Sequence, residues 1–329
     1  MALRVSPVWW PFVAAASPLL VPWLAVRNRR FQADRARADR QNQERIGRAE
    51  SLPLPALDFL DLIVLVEAKT RPGFIGDAAV SYWLKTPLGS LLYDVGLGPA
   101  SPALSRNAKR LGFDPERLEA LTISHLHFDH MGGLAAQRSR RVALPVELIN
   151  PAPIPCYLPD RAGADGFQAQ VVEAPQSLAA GIASTGPLAR SLFLLGYTEE
   201  QALVARVRGK GLVVITGCGH PGIQMILQMV SRLSAEPIHA IVGGLHLPVT
   251  GSRGHRAGVQ LQTIFGTGKP PWQRIGDRDL DRTVAAINRA APRRVCLSAH
   301  DTCEHALDRL ANELDAQTEV LEAGATYRF

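Results

Sequence analysis

The sequence predicts a layered α/β fold on three observations. From residue 57 onward, short apolar runs alternate with helix-period segments. Ile238–Val242, apolar but for His239, reads as a buried strand ending at Gly243-Gly244. Gly209-Lys210-Gly211 separates Leu203–Val207 from Leu212–Ile215, a strong hairpin signal. The 329 residues suffice for one large core or two domains.

The chain opens on Val5–Val26, 22 residues without a charge. That length spans a bilayer as a helix, and Trp9, Trp10 and Trp23 lie near its ends as interfacial anchors do. Pro7, Pro11, Pro18 and Pro22 work against a continuous helix. Three readings stay open: a membrane anchor, an apolar arm packed on the protein or a partner, and a cleaved signal peptide. Arg27, Arg29 and Arg30 follow at once, so an inserted segment would leave the remaining chain facing the cytoplasm. Residues 28–50 read as an exposed helix of mixed charge, lying on anionic lipid or forming a solvated linker. Leu52-Pro53-Leu54-Pro55 marks a boundary. The expected division is therefore an apolar segment 1–27, a charged helical linker 28–56 and an α/β domain 57–329.

Within that domain, Leu60–Val66, Val80–Leu84 and Ser90–Val95 are expected strands, and Pro102–Leu111 a helix. Residues 135–200 are poor in pattern and read as long loops over the site, with a short hairpin at most. Helices are expected at Pro221–Leu233, Leu280–Ala290 and His305–Leu314, and a strand at Arg294–Ser298.

The densest chemistry lies in Thr122-Ile-Ser-His-Leu-His-Phe-Asp-His-Met-Gly-Gly133, directly after the apolar run Leu118–Ile123. His125 and His127 point the same way at a strand end, since side chains alternate there, and so can grip one divalent metal. A turn into a helix near Asp129–Leu134 lets Asp129 and His130 reach a second. Two metals roughly 3.5–4 Å apart hold a hydroxide for in-line attack.

This segment resembles the signature of the metallo-β-lactamase superfamily, whose fold is a four-layer αββα sandwich. Other motifs fall in matching order: Leu91-Leu92-Tyr93-Asp94-Val95-Gly96, Ile215-Thr216-Gly217-Cys218-Gly219-His220, Gly243-Gly244-Leu245-His246-Leu247 and Ser298-Ala299-His300-Asp301-Thr302-Cys303. The T-G-C-x-H and G-G-x-H-L pair is similar to the branch containing 7,8-dihydropterin-6-methyl-type synthases. The resemblance covers about residues 57–329. It implies a metal ligand between the first motif and the Cys218 strand, but no His occurs from Met131 to Gly219. His220 is the expected replacement, with Cys156 and Asp160 read as structural. The expected metal ligands are His125, His127, Asp129, His130, Cys218, His220 and His300, Cys218 standing where many members carry a bridging Asp. Asp94 is expected to orient a ligand. Asp129 and His246 are the candidate catalytic residues, His246 as general acid. His239, His255 and His305 match no motif.

After His246 comes a Gly-rich basic insertion in which Arg253, Arg256, Lys269 and Arg274 can grip phosphate or carboxylate and Trp272 can stack on a ring. The alternative is a solvated surface loop. The formal charge is +6, but outside 27–48 the basic residues are spread out and aromatics are only 6%, which argues against a nucleic-acid partner. The four cysteines form no C-x-x-C pair and are too few for a disulfide scaffold, so a reducing compartment is expected.

The leading expectation is a metal-dependent hydrolase. A hydroxide on zinc, with manganese or iron as alternatives, would attack an ester, lactone, amide or phosphodiester of a small anionic substrate. Three readings compete: a pterin-type synthase or transferase, a mononuclear iron oxidoreductase of the same fold, and a membrane-tethered scaffold with a degenerate site.

Overall fold

The computed structural model describes residues 5–250 and 255–329. Two mixed β-sheets pack face to face, with helices on both outer faces. The first sheet runs, in spatial order, Gln168–Val171, Pro155–Leu158, Ala120–Thr122, Gly89–Tyr93, Ser81–Thr86, Asp61–Val66 and Thr326–Arg328. The second runs Gln176–Ser177, Ala183–Leu192, Gly196–Val207, Gly211–Thr216, Ile238–Gly243, Arg294–Leu297 and Gln317–Val320, with Ala56–Leu57 paired to Gly196–Val207.

Side-chain alternation explains how uninterrupted apolar runs build four layers. Leu62, Val64, Leu91 and Tyr93 of the first sheet meet Val213, Ile215, Ala240 and Val242 of the second in the central core. Their neighbours Ile63, Leu65 and Leu92 face outward onto Ala103, Leu104 and Ala108 of the helix Ala103–Arg110. Ile241 faces Leu280 and Ile287 of the helix Asp277–Ala290. Leu212 and Val214 face Ile226 and Met229 of the helix Ile223–Leu233. The structure is thus the expected αββα arrangement.

Two regions differ from the sequence reading. Residues 183–207 are not loops but a long antiparallel hairpin, Ala183–Leu192 against Gly196–Val207. Pro187 and Gly186 obscured it. The register shifts between Ser184 and Pro187, and a bulge of this kind is where a proline fits in a sheet.

The N-terminal segment is one helix, Trp10–Arg48, running through Pro18 and Pro22 and across the expected break at 27/28. Pro11 sits in its first turn, where a missing N–H costs nothing. None of residues 10–30 is buried, whereas Phe31, Ala38, Asn42 and Ile46 are, all on one face. Residues 28–48 are therefore no solvated linker. Asn42 Nδ2 donates to the Ala189 carbonyl at 2.8 Å and its Oδ1 accepts from the Ala189 N–H at 2.7 Å. Arg45 pairs with Glu199 at 2.9 Å, and Phe31 packs on Phe193 at 5.5 Å between ring centroids. The exposed apolar half is long and apolar enough to cross a membrane by length and composition. At its start, Ser6 N–H and Trp9 Nε1 donate to the carbonyls of Gly258 and Ala257.

Candidate metal centre

Five strands from both sheets end at one edge of the sandwich, and the turns that follow carry the site. Asp94 follows Gly89–Tyr93, residues 124–130 follow Ala120–Thr122, and Cys218 and His220 follow Gly211–Thr216. His246 follows Ile238–Gly243, and His300 follows Arg294–Leu297. Parallel pairing makes these carboxyl ends coincide within each sheet.

The two halves approach at glycine. A Cβ on Gly217 would lie 2.2 Å from Ser124 Oγ, so no other residue fits there without displacing the first motif. A Cβ on Gly244 would lie 2.4 Å from the Gly217 carbonyl and 2.8 Å from Asp301 Oδ2. Asp94 (φ 59°) and His246 (φ 51°) adopt left-handed backbone, a strained choice for side-chain-bearing residues that clusters at functional sites.

Three overlapping donor sets result. His125, His127 and His220 form one, Asp129, His130, Cys218 and His300 a second, and Cys218, His220 and His246 a third. Within each set the donor atoms lie within 4.8 Å of one another. Cys218 Sγ lies 3.2 Å from both His130 Nε2 and His300 Nε2 and is shared by the second and third sets. Sequence-expected ligands are thus brought together in full, and each set suits a divalent ion.

A further shell orients the imidazoles. Asp94 Oδ2 takes His130 Nδ1 at 2.7 Å and Ser124 Oγ at 2.7 Å, and Asp94 Oδ1 takes the Ser124 N–H at 2.6 Å. Ser124 Oγ in turn lies 2.9 Å from His125 Nδ1. Glu200 holds His220 Nδ1 at 2.9 Å while accepting the N–H groups of Gly219 and His220. Ser298 Oγ bridges His300 Nδ1 and Glu67 Oε2, both at 2.5 Å. Thr198 Oγ1 lies 3.3 Å from His127 Nε2.

The electrostatics favour neutral imidazoles in the set His125, His127 and His220 and a protonated one at His130. Burial, then the neighbouring imidazoles, holds His125, His127 and His220 well below the ordinary range. Burial also opposes charge on His130, but Asp94 and Asp129 outweigh it and raise His130 to about 9. Burial raises Asp94, Asp129 and Glu200, and burial with Asp301 pushes the Cys218 thiol well up. A bound divalent ion would reverse the thiol's preference. Three buried imidazole nitrogens have no hydrogen-bond partner among the described residues: His125 Nε2 and both nitrogens of His246. Buried polar atoms are rarely left so, and His125 Nε2, within 4.8 Å of donors on His127 and His220, fits a metal.

The remaining expected residues fall elsewhere. Cys156 is buried in the core of the first sheet, and Asp160 pairs with Arg140 at 2.9 Å. Lys269 is engaged by Asp279 at 2.6 Å and by the Arg274 carbonyl at 2.8 Å. The exposed Trp272 stands edge-on to Phe193 at 5.6 Å, and Arg274 is exposed beside the helix Asp277–Ala290. Arg253 lies outside the described residues. Sequence reasoning missed Glu200, Glu67, Ser298, Thr198 and Asp301. Asp301 Oδ2 accepts the His246 N–H at 3.2 Å and lies 3.6 Å from His246 Nδ1. A cleft of about 270 Å³ opens beside the donor sets, lined by His220, His246, Arg190, Gly268, Lys269 and Arg282 among others.

Residues 75–231 match the sequence model of the Metallo-beta-lactamase superfamily. A 7,8-dihydropterin-6-methyl-4-(beta-D-ribofuranosyl)-aminobenzene-5'-phosphate synthase of Methanocaldococcus jannaschii is 24% identical over 177 residues, 43% of this chain. The chain spans 60% of the length of that curated relative. A solved metal-dependent hydrolase of the beta-lactamase superfamily has the same fold, with a TM-score of 0.57 and 23% identity over 82% of this chain and 98% of that one. A diphosphatase from the PhnP family gives a TM-score of 0.46 at 16% identity, over 82% of this chain and 98% of that one.

Proposed function

We propose that this chain, whose residues 75–231 match the model of the Metallo-beta-lactamase superfamily, is a metal-dependent hydrolase of an ester, lactone, amide or phosphodiester bond in a small anionic substrate. The observation that carries this reading is the overlap of three donor sets of His, Cys and Asp beside a cleft that His220 and His246 line. A divalent metal pair, zinc in first place, supplies a nucleophile at neutral pH and a Lewis acid for the electrophile. His125, His127 and His220 hold one position. Asp129, His130 and His300 hold the other, with Cys218 between. His246 lines the cleft with its ring 4.6 Å from that of His220, which supports a role as the acid that protonates a leaving group. Asp301 supports it through its backbone N–H. Lys269 is tied to Asp279 and serves the cleft wall rather than the substrate.

Metal analysis of protein purified without added metal tests this reading. Two zinc or manganese atoms per chain, with turnover of chromogenic esters or phosphodiesters, is the expected result. One iron per chain with oxygen consumption would overturn it. A second reading, condensation of a pterin with an aryl partner, is favoured by the match to the Methanocaldococcus synthase. It predicts a joined product and no net hydrolysis.

The exposed apolar half of the N-terminal helix supports a membrane anchor that leaves the α/β domain on the cytoplasmic side. Residues 31–48 pack on the domain, so the informative comparison is full-length protein against a chain starting at Arg27. Full-length protein is expected in the membrane fraction and the shorter chain in the soluble one. Equal partitioning would reject the anchor.

A further inference from the structure

We infer that Arg190 anchors an oxyanion of the substrate, a phosphate or a carboxylate, in the cleft beside His220 and His246. The inference rests on the hydrolase reading for the identity of the bound molecule as substrate. The geometry is its own.

Arg190 lies on the strand Ala183–Leu192 opposite Thr198. Thr198 contacts His127, and Glu200 two residues on holds His220. The same hairpin therefore fixes both Arg190 and two metal-donor histidines. The guanidinium lines the cleft with His220 and His246. It makes no hydrogen bond or ion pair with any described residue, although Arg27 and Arg45 on the neighbouring helix both do. The nearby Asp279 is taken by Lys269 at 2.6 Å. A largely enclosed guanidinium with five idle donors is costly unless a ligand supplies the missing charge.

Gly268 lets the backbone pack directly against the guanidinium. A Cβ there would lie 2.3 Å from Arg190 Nε and 2.5 Å from Nη2, so the insertion after His246 crosses the guanidinium as bare backbone. Arg282, exposed at the other wall, adds positive charge without a side-chain partner among the described residues. A planar fork of donors suits a phosphate or carboxylate bidentately, and its position beside the donor sets would hold the far end of a substrate while its scissile bond meets them.

The test titrates inorganic phosphate, and separately acetate, into metal-loaded full-length protein by calorimetry, comparing wild type, Arg190→Gln, Arg190→Lys and Gly268→Ala. Metal content and thermal unfolding are read on every sample. Arg190→Gln is expected to weaken one of the two anions by about 10- to 100-fold with metal content unchanged, Arg190→Lys to restore part of the loss, and Gly268→Ala to weaken the same anion. The anion that responds identifies the group recognised. Equal affinity across all four proteins, or no binding to wild type, would overturn the assignment. A wild type that holds no metal would defeat the hydrolase reading instead, and the same titration would still judge Arg190.

Discussion

Glu200 Oε2 lies 2.9 Å from His220 Nδ1 and 2.8 Å from the His220 N–H, so one buried carboxylate fixes both the ring and the backbone of a candidate ligand. This leaves His220 Nε2 to face His125 and His127. Glu200→Gln keeps the shape and removes the charge. It is expected to weaken metal binding by about 10- to 100-fold, measured by competition with a chromophoric chelator. Unchanged affinity would show that Glu200 serves the fold alone.

Two donors should titrate with opposite sign in metal-free protein. Burial, then neighbouring imidazoles, keeps His125 neutral in the fold, whereas the unfolded chain protonates near pH 6.5. The stability of wild type relative to His125→Gln should therefore fall as pH drops from 7 towards 5. His130 is held at about 9, with Asp94 as its attractive partner against the cost of burial. Its contribution is complete below pH 6.5 and is lost as pH rises through 9, so the gap to His130→Gln should close over that window. Differential scanning calorimetry in chelator from pH 5 to 9.5 reads both gaps. Parallel curves for the two pairs would contradict the assigned directions.

The first motif and the later His and Cys turns were legible because strand ends and glycines leave local signatures. Asp94 was readable for the same reason: a carboxylate after an apolar strand and before Gly96 has few other uses. Glu200 and Glu67 were not. Glu200 is a charged residue inside a strand and Glu67 directly follows the strand Asp61–Val66, and only the tertiary fold brings Glu200 to His220 across 20 residues and Glu67 to Ser298 across 231. The helix Trp10–Arg48 shows the opposite failure. Its prolines and charges suggested two segments, but tertiary packing of Phe31, Ala38, Asn42 and Ile46 overrides local propensity.

Gly217→Ala should separate close packing from mere turn chemistry. Its new methyl would meet Ser124 Oγ, which is tied to Asp94 and His125. The expected cost is about 1–3 kcal/mol of unfolding free energy, with weakened metal binding because the first motif must shift. Urea denaturation beside metal titration checks both. Lost stability with intact affinity would place the strain away from the donors.

Asn42 makes the N-terminal helix part of the domain. Its amide closes a two-bond ring with the Ala189 backbone, one residue before Arg190, on the outer face of the hairpin. Asn42→Ala leaves a buried N–H and C=O without partners, for an expected loss of about 1–3 kcal/mol. Leu19→Ser, on the exposed half of the same helix, should change stability by less than about 0.5 kcal/mol. Chemical denaturation of the two variants in detergent-free buffer, starting from a chain beginning at Met1, makes the comparison. If Leu19→Ser costs as much as Asn42→Ala, the apolar half is packed on protein and the anchor reading fails. If only Asn42→Ala is costly, the helix is rooted in the hairpin that carries Arg190, Thr198 and Glu200 and tied at Ser6 and Trp9 to Gly258 and Ala257, and its exposed residues between these ties are left to a bilayer.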